Sequence, residues 1–133
     1  MTAIVGLPGE TPEDVWDTVT LIDQMEKVPN NHFIVAPLTF VPIGSLKKQE
    51  FFNMDEMLDE ARYNFIYRCW RHIAIEIEAN LSSLHKAPPA VRTVMSIVGR
   101  VGSRFIMKKI ESYGKEKGFT IRHPESDPIP IRV

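Results

Sequence analysis

The stretch Ala3-Ile4-Val5-Gly6-Leu7-Pro8-Gly9-Glu10-Thr11-Pro12-Glu13-Asp14 decides the fold. Ala3 to Val5 are apolar and partly β-branched, as a buried strand requires. Gly6, Pro8 and Gly9 break that strand. Thr11 then stands where an N-cap belongs, Pro12 at the first helical position, and Glu13 and Asp14 in the first turn, where the helix dipole favours carboxylates. A strand that hands over abruptly to a capped helix is half of a βαβ unit. Ligands in such folds bind at the carboxyl ends of strands, so the Gly6–Glu10 turn is the first place to look for function.

Working outward, residues 12–27 read as a helix with Val15, Val19, Ile22 and Met25 or Glu26 on an inward stripe. Asp17, Asp23 and Gln24 are expected in water. Val28-Pro29-Asn30-Asn31 ends it, because Pro29 cannot continue the ladder. Phe33 to Ala36 reads as a second short strand. Pro37 and Pro42 argue against a long central one, since neither donates to a ladder. A connection of this length makes the two strands parallel. Pro42-Ile43-Gly44-Ser45 is a turn, followed by a polar link ending in Phe51-Phe52. Asn53 with Glu56 resembles a capping box and opens a helix from about Met54 to Leu84. Its apolar side includes Met54, Met57, Leu58, Ala61, Phe65, Cys69, Ile73, Ile77, Leu81 and Leu84. Pro88-Pro89 stops it. A third helix runs from about Ala90 to Tyr113, with Val91, Val94, Met95, Val98, Val101, Phe105, Ile106 and Ile110 as its apolar side and Gly114 and Gly118 as its breakers. Gly99 and Gly102 inside it each cost about 1 kcal/mol relative to Ala, and allow close packing or a kink. Phe119 to Arg122 is a candidate last strand, and His123–Val133 an extended tail. The fold class is therefore α/β: a strand-helix-strand unit over residues 1–46, a helical region over 47–118, and a short strand with a tail over 119–133.

Composition excludes several functions. The 133 residues carry one cysteine, Cys69, so no internal disulfide and no cysteine metal cluster forms within the chain. No apolar run reaches the roughly 20 residues of a membrane span, and no signal peptide is visible, so a cytoplasmic location is expected. The net charge of −1 hides an asymmetry. Residues 1–85 hold 6 Lys/Arg and 13 Asp/Glu, a balance of −7, and residues 86–133 hold 10 and 4, a balance of +6. Arg92, Arg100, Arg104, Lys108, Lys109, Lys115 and Lys117 suit phosphates or an anionic membrane surface. Phe105 and Tyr113 give little for base stacking. A solvated helix face, or a dock for the acidic half, is the competing explanation.

Other site chemistry is thin. No phosphate-loop lysine follows Gly9. His32, His72, His85 and His123 share no metal spacing, and His72 with Glu76 supplies only two ligands. Asp55, Glu56, Asp59 and Glu60 read as a helix-start charge cluster. Cys69 lies on the apolar face, as a core residue does.

Two segments together resemble a known family. Ile4-Val5-Gly6-Leu7-Pro8-Gly9-Glu10-Thr11-Pro12-Glu13-Asp14, followed by Ala36-Pro37-Leu38-Thr39-Phe40-Val41-Pro42-Ile43-Gly44-Ser45, is similar to the late strands of radical S-adenosylmethionine enzymes. The likeness is greatest to the group that often carries a cobalamin-binding domain. It covers residues 3–46, and loosely the Tyr63–His72 stretch. It implies a piece of a partial β/α barrel with Gly6, Pro8, Gly9 and Glu10 at a strand mouth near the cofactor. Pro37, Leu38, Thr39, Phe40 and Pro42 would form the neighbouring wall, apolar enough to pack against an adenine. S-adenosylmethionine and a 4Fe–4S cluster serve the full-length family enzymes. Here the three cluster cysteines are missing, so this chain alone cannot hold that cluster. The resemblance implies a C-terminal portion whose partner is an upstream barrel half or a second copy, as a homodimer. From the residues alone, Gly-Leu-Pro-Gly-Glu-Thr is equally well a tight turn and a cap. The whole chain then reads as a non-catalytic self-associating module.

Overall fold

The computed structural model describes residues 1–28, 33–41, 53–81 and 87–122. Two four-residue strands, β1 (Thr2–Val5) and β2 (Ala36–Thr39), pair in parallel, with Thr2 opposite Ala36 and Val5 opposite Thr39. Helix α1 (Pro12–Glu26) connects them. A helical turn α2 (Met54–Met57), the 22-residue α3 (Glu60–Leu81) and the 29-residue α4 (Pro89–Lys117) follow. The architecture is thus mixed α/β and mostly helical, with the expected strand-helix-strand order.

Helix α1 begins as its residues dictate. Asp14 N–H donates to Thr11 Oγ1 (3.3 Å) and Thr11 N–H to Asp14 Oδ2 (2.8 Å), a reciprocal cap ahead of Pro12. Val15, Val19 and Ile22 are buried and meet Val5, Val35, Ala61, Phe65 and Cys69 in the core. Asp17 and Gln24 are exposed as expected, but Asp23 is buried. It faces α3, where Arg68 Nε lies 2.9 Å from its Oδ1.

Four further expectations shift. First, β2 starts at Ala36, three residues after the expected start at Phe33, and it contains Pro37. Ala36 N–H donates to Met1 O and Phe40 N–H to Val5 O, so the amides facing β1 belong to even-numbered residues. Pro37 fills a slot whose N–H would point off the edge, the one strand position that costs proline no ladder bond. Second, the expected single helix from Met54 is split. Asp59 is the N-cap of α3: its Oδ1 accepts from Arg62 N–H (2.8 Å) and its carbonyl from Tyr63 N–H (2.9 Å). A side chain that satisfies a helix start ends the preceding turn.

Third, Gly114 lies inside α4 and is no breaker. The helix ends at Gly118, with φ 76°. Gly114 is glycine because a Cβ there would sit 2.1 Å from the Tyr63 ring. Gly99 packs the same way near Ile77 of α3, so α3 and α4 run antiparallel. Fourth, the apolar side of α4 is largely exposed. Small residues at Gly99, Ser103 and Gly114 meet α3, while Val91, Val94, Met95, Val98, Val101 and Phe105 are 48–62 % exposed.

Phe119 to Arg122 forms no strand. Asn64 imitates one: its Nδ2 donates to Thr120 O (2.9 Å) and its Oδ1 accepts from Arg122 N–H (2.9 Å). The expected turns at Pro29–Asn31 and Pro42–Ser45, Phe51-Phe52, Leu84, three of the histidines (His32, His85, His123) and the tail from His123 lie outside the described residues.

Candidate functional site

Because β1 and β2 are parallel, their carboxyl ends emerge together. Phe40 N–H donates to Val5 O at 2.9 Å, which sets the Thr39–Val41 segment beside the Gly6–Glu10 turn. Gly6 and Gly9 have φ of 83° and 81°, the left-handed region that costs glycine least. Glu10 N–H closes the turn onto Leu7 O at 3.0 Å. Gly6 is buried, while Leu7, Pro8 and Gly9 project into solvent.

Glu10 is the fixed point. Its Oε2 accepts from Gly6 N–H at 2.8 Å and lies 3.0 Å from Arg62 Nη2. Arg62 Nε adds a bond of 3.1 Å to the same oxygen, and Nη2 reaches the Glu10 carbonyl at 3.3 Å. Asp59 holds the opposite end of the guanidinium. The Glu10 and Arg62 side chains are only 8 % and 10 % exposed. A hydrogen-bonded carboxylate–guanidinium pair in a dry setting is strong and directional. It fixes the shape of the turn and occupies Glu10 Oε2 and the Glu10 carbonyl, which a ligand would otherwise contact.

Of the nine residues expected to line a cofactor, the structure gathers Gly6, Pro8, Gly9, Glu10, Thr39 and Phe40 at one end of the sheet. Pro37 and Leu38 sit deeper in β2, opposite Ala3 and Ile4. Pro42 lies outside the described residues. The start of α1 offers little to an anion: Asp14 occupies the Thr11 amide, and Glu13 adds a second carboxylate.

Comparison with known proteins finds no protein-family model, no curated protein and no solved structure that matches this chain. The chemistry is therefore read from the side chains alone.

Sequence reasoning did not single out Arg62, Asn64 or Arg68, and it weighed His72 and Glu76 only as a pair of ligands one turn apart. Asn64, Arg68, His72 and Glu76 form a buried row at a spacing of four, next to the apolar row Ala61, Phe65 and Cys69. The sequence carries that polar row beside the apolar one, but periodicity alone places polar residues in water, and only the packing of a second helix buries them. Arg68 pairs with Asp23 and bonds the Arg122 carbonyl. Burial raises the Asp23 carboxyl above its usual range against the opposing pull of Arg68. Burial likewise lowers the Arg68 guanidinium. His72 stacks on Phe33, with ring centroids 4.0 Å apart, and its Nε2 lies 2.6 Å from Phe33 O. Cys69 is fully buried and its thiol is pushed up to about 12, so it stays an inert core group. Among the described residues no set of three metal-ligating side chains converges, and no helix is long and apolar enough to cross a membrane.

Proposed function

We propose that this chain is the C-terminal portion of a radical S-adenosylmethionine enzyme, and that β1 and β2 belong to a partial β/α barrel completed by other polypeptide. One observation supports the reading beyond sequence likeness: among the described residues, the sheet is covered on one face only. Ala3 and Val5 point toward the helices, with Val5 in the core. On the other face Ile4 and Leu38 stand side by side, 48 % and 46 % exposed. Parallel sheets bury both faces as a rule, and a two-stranded sheet is marginal by itself. A neutral, apolar inner face is what barrel strands present to their interior.

In this reading the chain supplies walls. The Gly6–Glu10 turn brings backbone close to the cofactor, and Phe40 offers an aromatic surface for an adenine. The cluster does not fit this chain, since Cys69 is buried, protonated and alone. No reaction step is assigned to these residues. The second reading, a non-catalytic module in which a second copy covers the Ile4–Leu38 face, rests on the same uncovered surface.

Amide correlation spectra of the chain, titrated with S-adenosylmethionine to millimolar concentration, separate the two. The first predicts shifts confined to Gly6–Glu10 and Thr39–Val41. A dispersed spectrum without shifts overturns it. If light scattering then also shows a dimer, the second reading replaces it.

A further inference from the structure

We infer that the exposed face of α4 docks on an anionic membrane surface, with the helix lying along the interface. The inference is independent of the radical-enzyme reading, because it concerns another face of the molecule.

The argument begins with what α4 leaves uncovered. Val91, Val94, Met95, Val98, Val101 and Phe105 recur at spacings of three and four, and each is about half exposed or more. A contiguous apolar patch of this kind on a water-facing helix marks an interaction surface. It continues into a groove of about 220 Å³ between α3 and α4, lined by Trp70, Ile73, Ile77, Val98, Gly102 and Ile106. Val98 belongs to both, so the apolar surface runs from the helix crest into the groove.

Charge selects the occupant. From Pro89 to Ile110 the helix carries Arg92, Arg100, Arg104, Lys108 and Lys109 and no carboxylate. All five are exposed. Arg100, Arg104 and Lys108 advance along one flank of the apolar stripe. Lys109 lies over the Phe105 ring, 5.7 Å from its centroid. A second copy fits badly. A two-fold interface would set this patch against itself, opposing five cations with five. An apolar stripe bordered by Lys and Arg instead matches a bilayer interface, where acyl chains take the stripe and anionic headgroups the cations. No described helix is long and apolar enough to span, which leaves α4 lying on the surface.

The test is co-sedimentation of the whole chain with vesicles of phosphatidylcholine alone or with 30 % phosphatidylglycerol added, a composition of roughly the charge density considered for anionic leaflets. Binding to the anionic vesicles, weakened by salt and absent on phosphatidylcholine, is expected. Replacing Arg100, Arg104 or Lys108 by Gln should weaken partitioning about fivefold each, from roughly 1 kcal/mol per cation near the surface. The pair Val94→Asp and Val101→Asp, both at exposed positions and checked for a wild-type circular dichroism spectrum, should reduce it at least about tenfold. Equal binding to both vesicle types overturns the proposal, as does no binding, or binding that the aspartates leave unchanged. If vesicles do not bind and the aspartates convert a dimer to a monomer in light scattering, the face is a homotypic interface instead. If single-stranded RNA binds and anionic vesicles do not, the occupant is nucleic acid.

Discussion

Replacing Arg62 by Met tests whether α3 holds the strand-mouth turn. Arg62 Nε and Nη2 lie 3.1 and 3.0 Å from Glu10 Oε2, and both side chains are about nine-tenths buried. The methionine fills most of the arginine's volume, so the main loss is electrostatic. It leaves a buried carboxylate whose remaining donor among these contacts is Gly6 N–H. Breaking a buried pair from one side costs about 3–5 kcal/mol. In a chain of this size each kcal/mol lowers Tm by roughly 4 °C, so a drop of about 12–20 °C is expected. Asp59 adds little, because its carboxylate is about one-third exposed. Glu10→Gln alone keeps an acceptor for Gly6 and leaves Arg62 paired with Asp59, at a cost of about 1–3 kcal/mol. The double variant should cost about 2 kcal/mol less than the two singles summed. Urea unfolding followed by circular dichroism measures all three, and hydrogen exchange of the Gly6 amide reports the turn itself. A cost under about 1 kcal/mol for Arg62→Met would refute the reasoning, as would strict additivity.

Two further outcomes follow from the helices. Gly114→Ala drives a methyl into the Tyr63 ring, 2.1 Å from its Oη, and threatens the Tyr63–Ile110 carbonyl bond of 3.1 Å. Thermal unfolding should show a net loss of about 2 kcal/mol despite the gain in helix propensity, whereas Gly102→Ala, with nothing within 4 Å, should gain about 0.5–1 kcal/mol. Asp23 has its folded-state carboxyl pKa raised above 3.8 by burial, so the folded state keeps a proton that the unfolded state gives up. Its contribution to stability is therefore greatest below 3.8 and falls as pH rises through the raised value. The stability difference between wild type and Asp23→Asn, measured by urea unfolding from pH 3.5 to 7.5, should decline with rising pH; a rising difference would overturn the assignment.

Much of the local structure was legible because it is encoded within four residues. Thr11, Pro12 and Asp14 announce the start of α1, and the structure forms that cap as written. The parallel pairing follows from the length of the connection. What was hidden depends on contacts distant in sequence. Asp23 looks like a surface residue until Arg68, 45 positions away, is placed against it. The expected placement of β2 failed on Pro37, because a proline excluded from the middle of a sheet is harmless on its outer edge. The stripe on α4 was real, but periodicity shows only that a face is apolar and not that this chain covers it. The strand-mouth turn was visible as a candidate site, whereas its anchor was not, since nothing near Arg62 in the sequence points back to Glu10.

These long-range contacts share one origin. Helix α3 packs against α1 and β2 on one side and α4 on another, so it has little surface left for water. Four of its buried polar side chains hold backbone or charge that would otherwise be loosely held: Arg62 the Glu10 turn, Asn64 Thr120 and Arg122, Arg68 Asp23, and His72 Phe33. A buried donor left without its acceptor costs about 1–3 kcal/mol, so each of these segments is fixed relative to α3. Two of the apolar surfaces left exposed among the described residues differ in kind. The Ile4–Leu38 face is bordered along its strands by Thr2 and Ala36, and none of these four residues carries a charge. The α4 face is lined by cations. A neutral sheet face with free strand edges is best completed by more polypeptide, which can pair with those edges. A cationic helix face gains more from an anionic surface, which needs no matching backbone. The two proposals thus assign the chain two chemically different neighbours, and substitutions on one face should leave binding at the other unchanged.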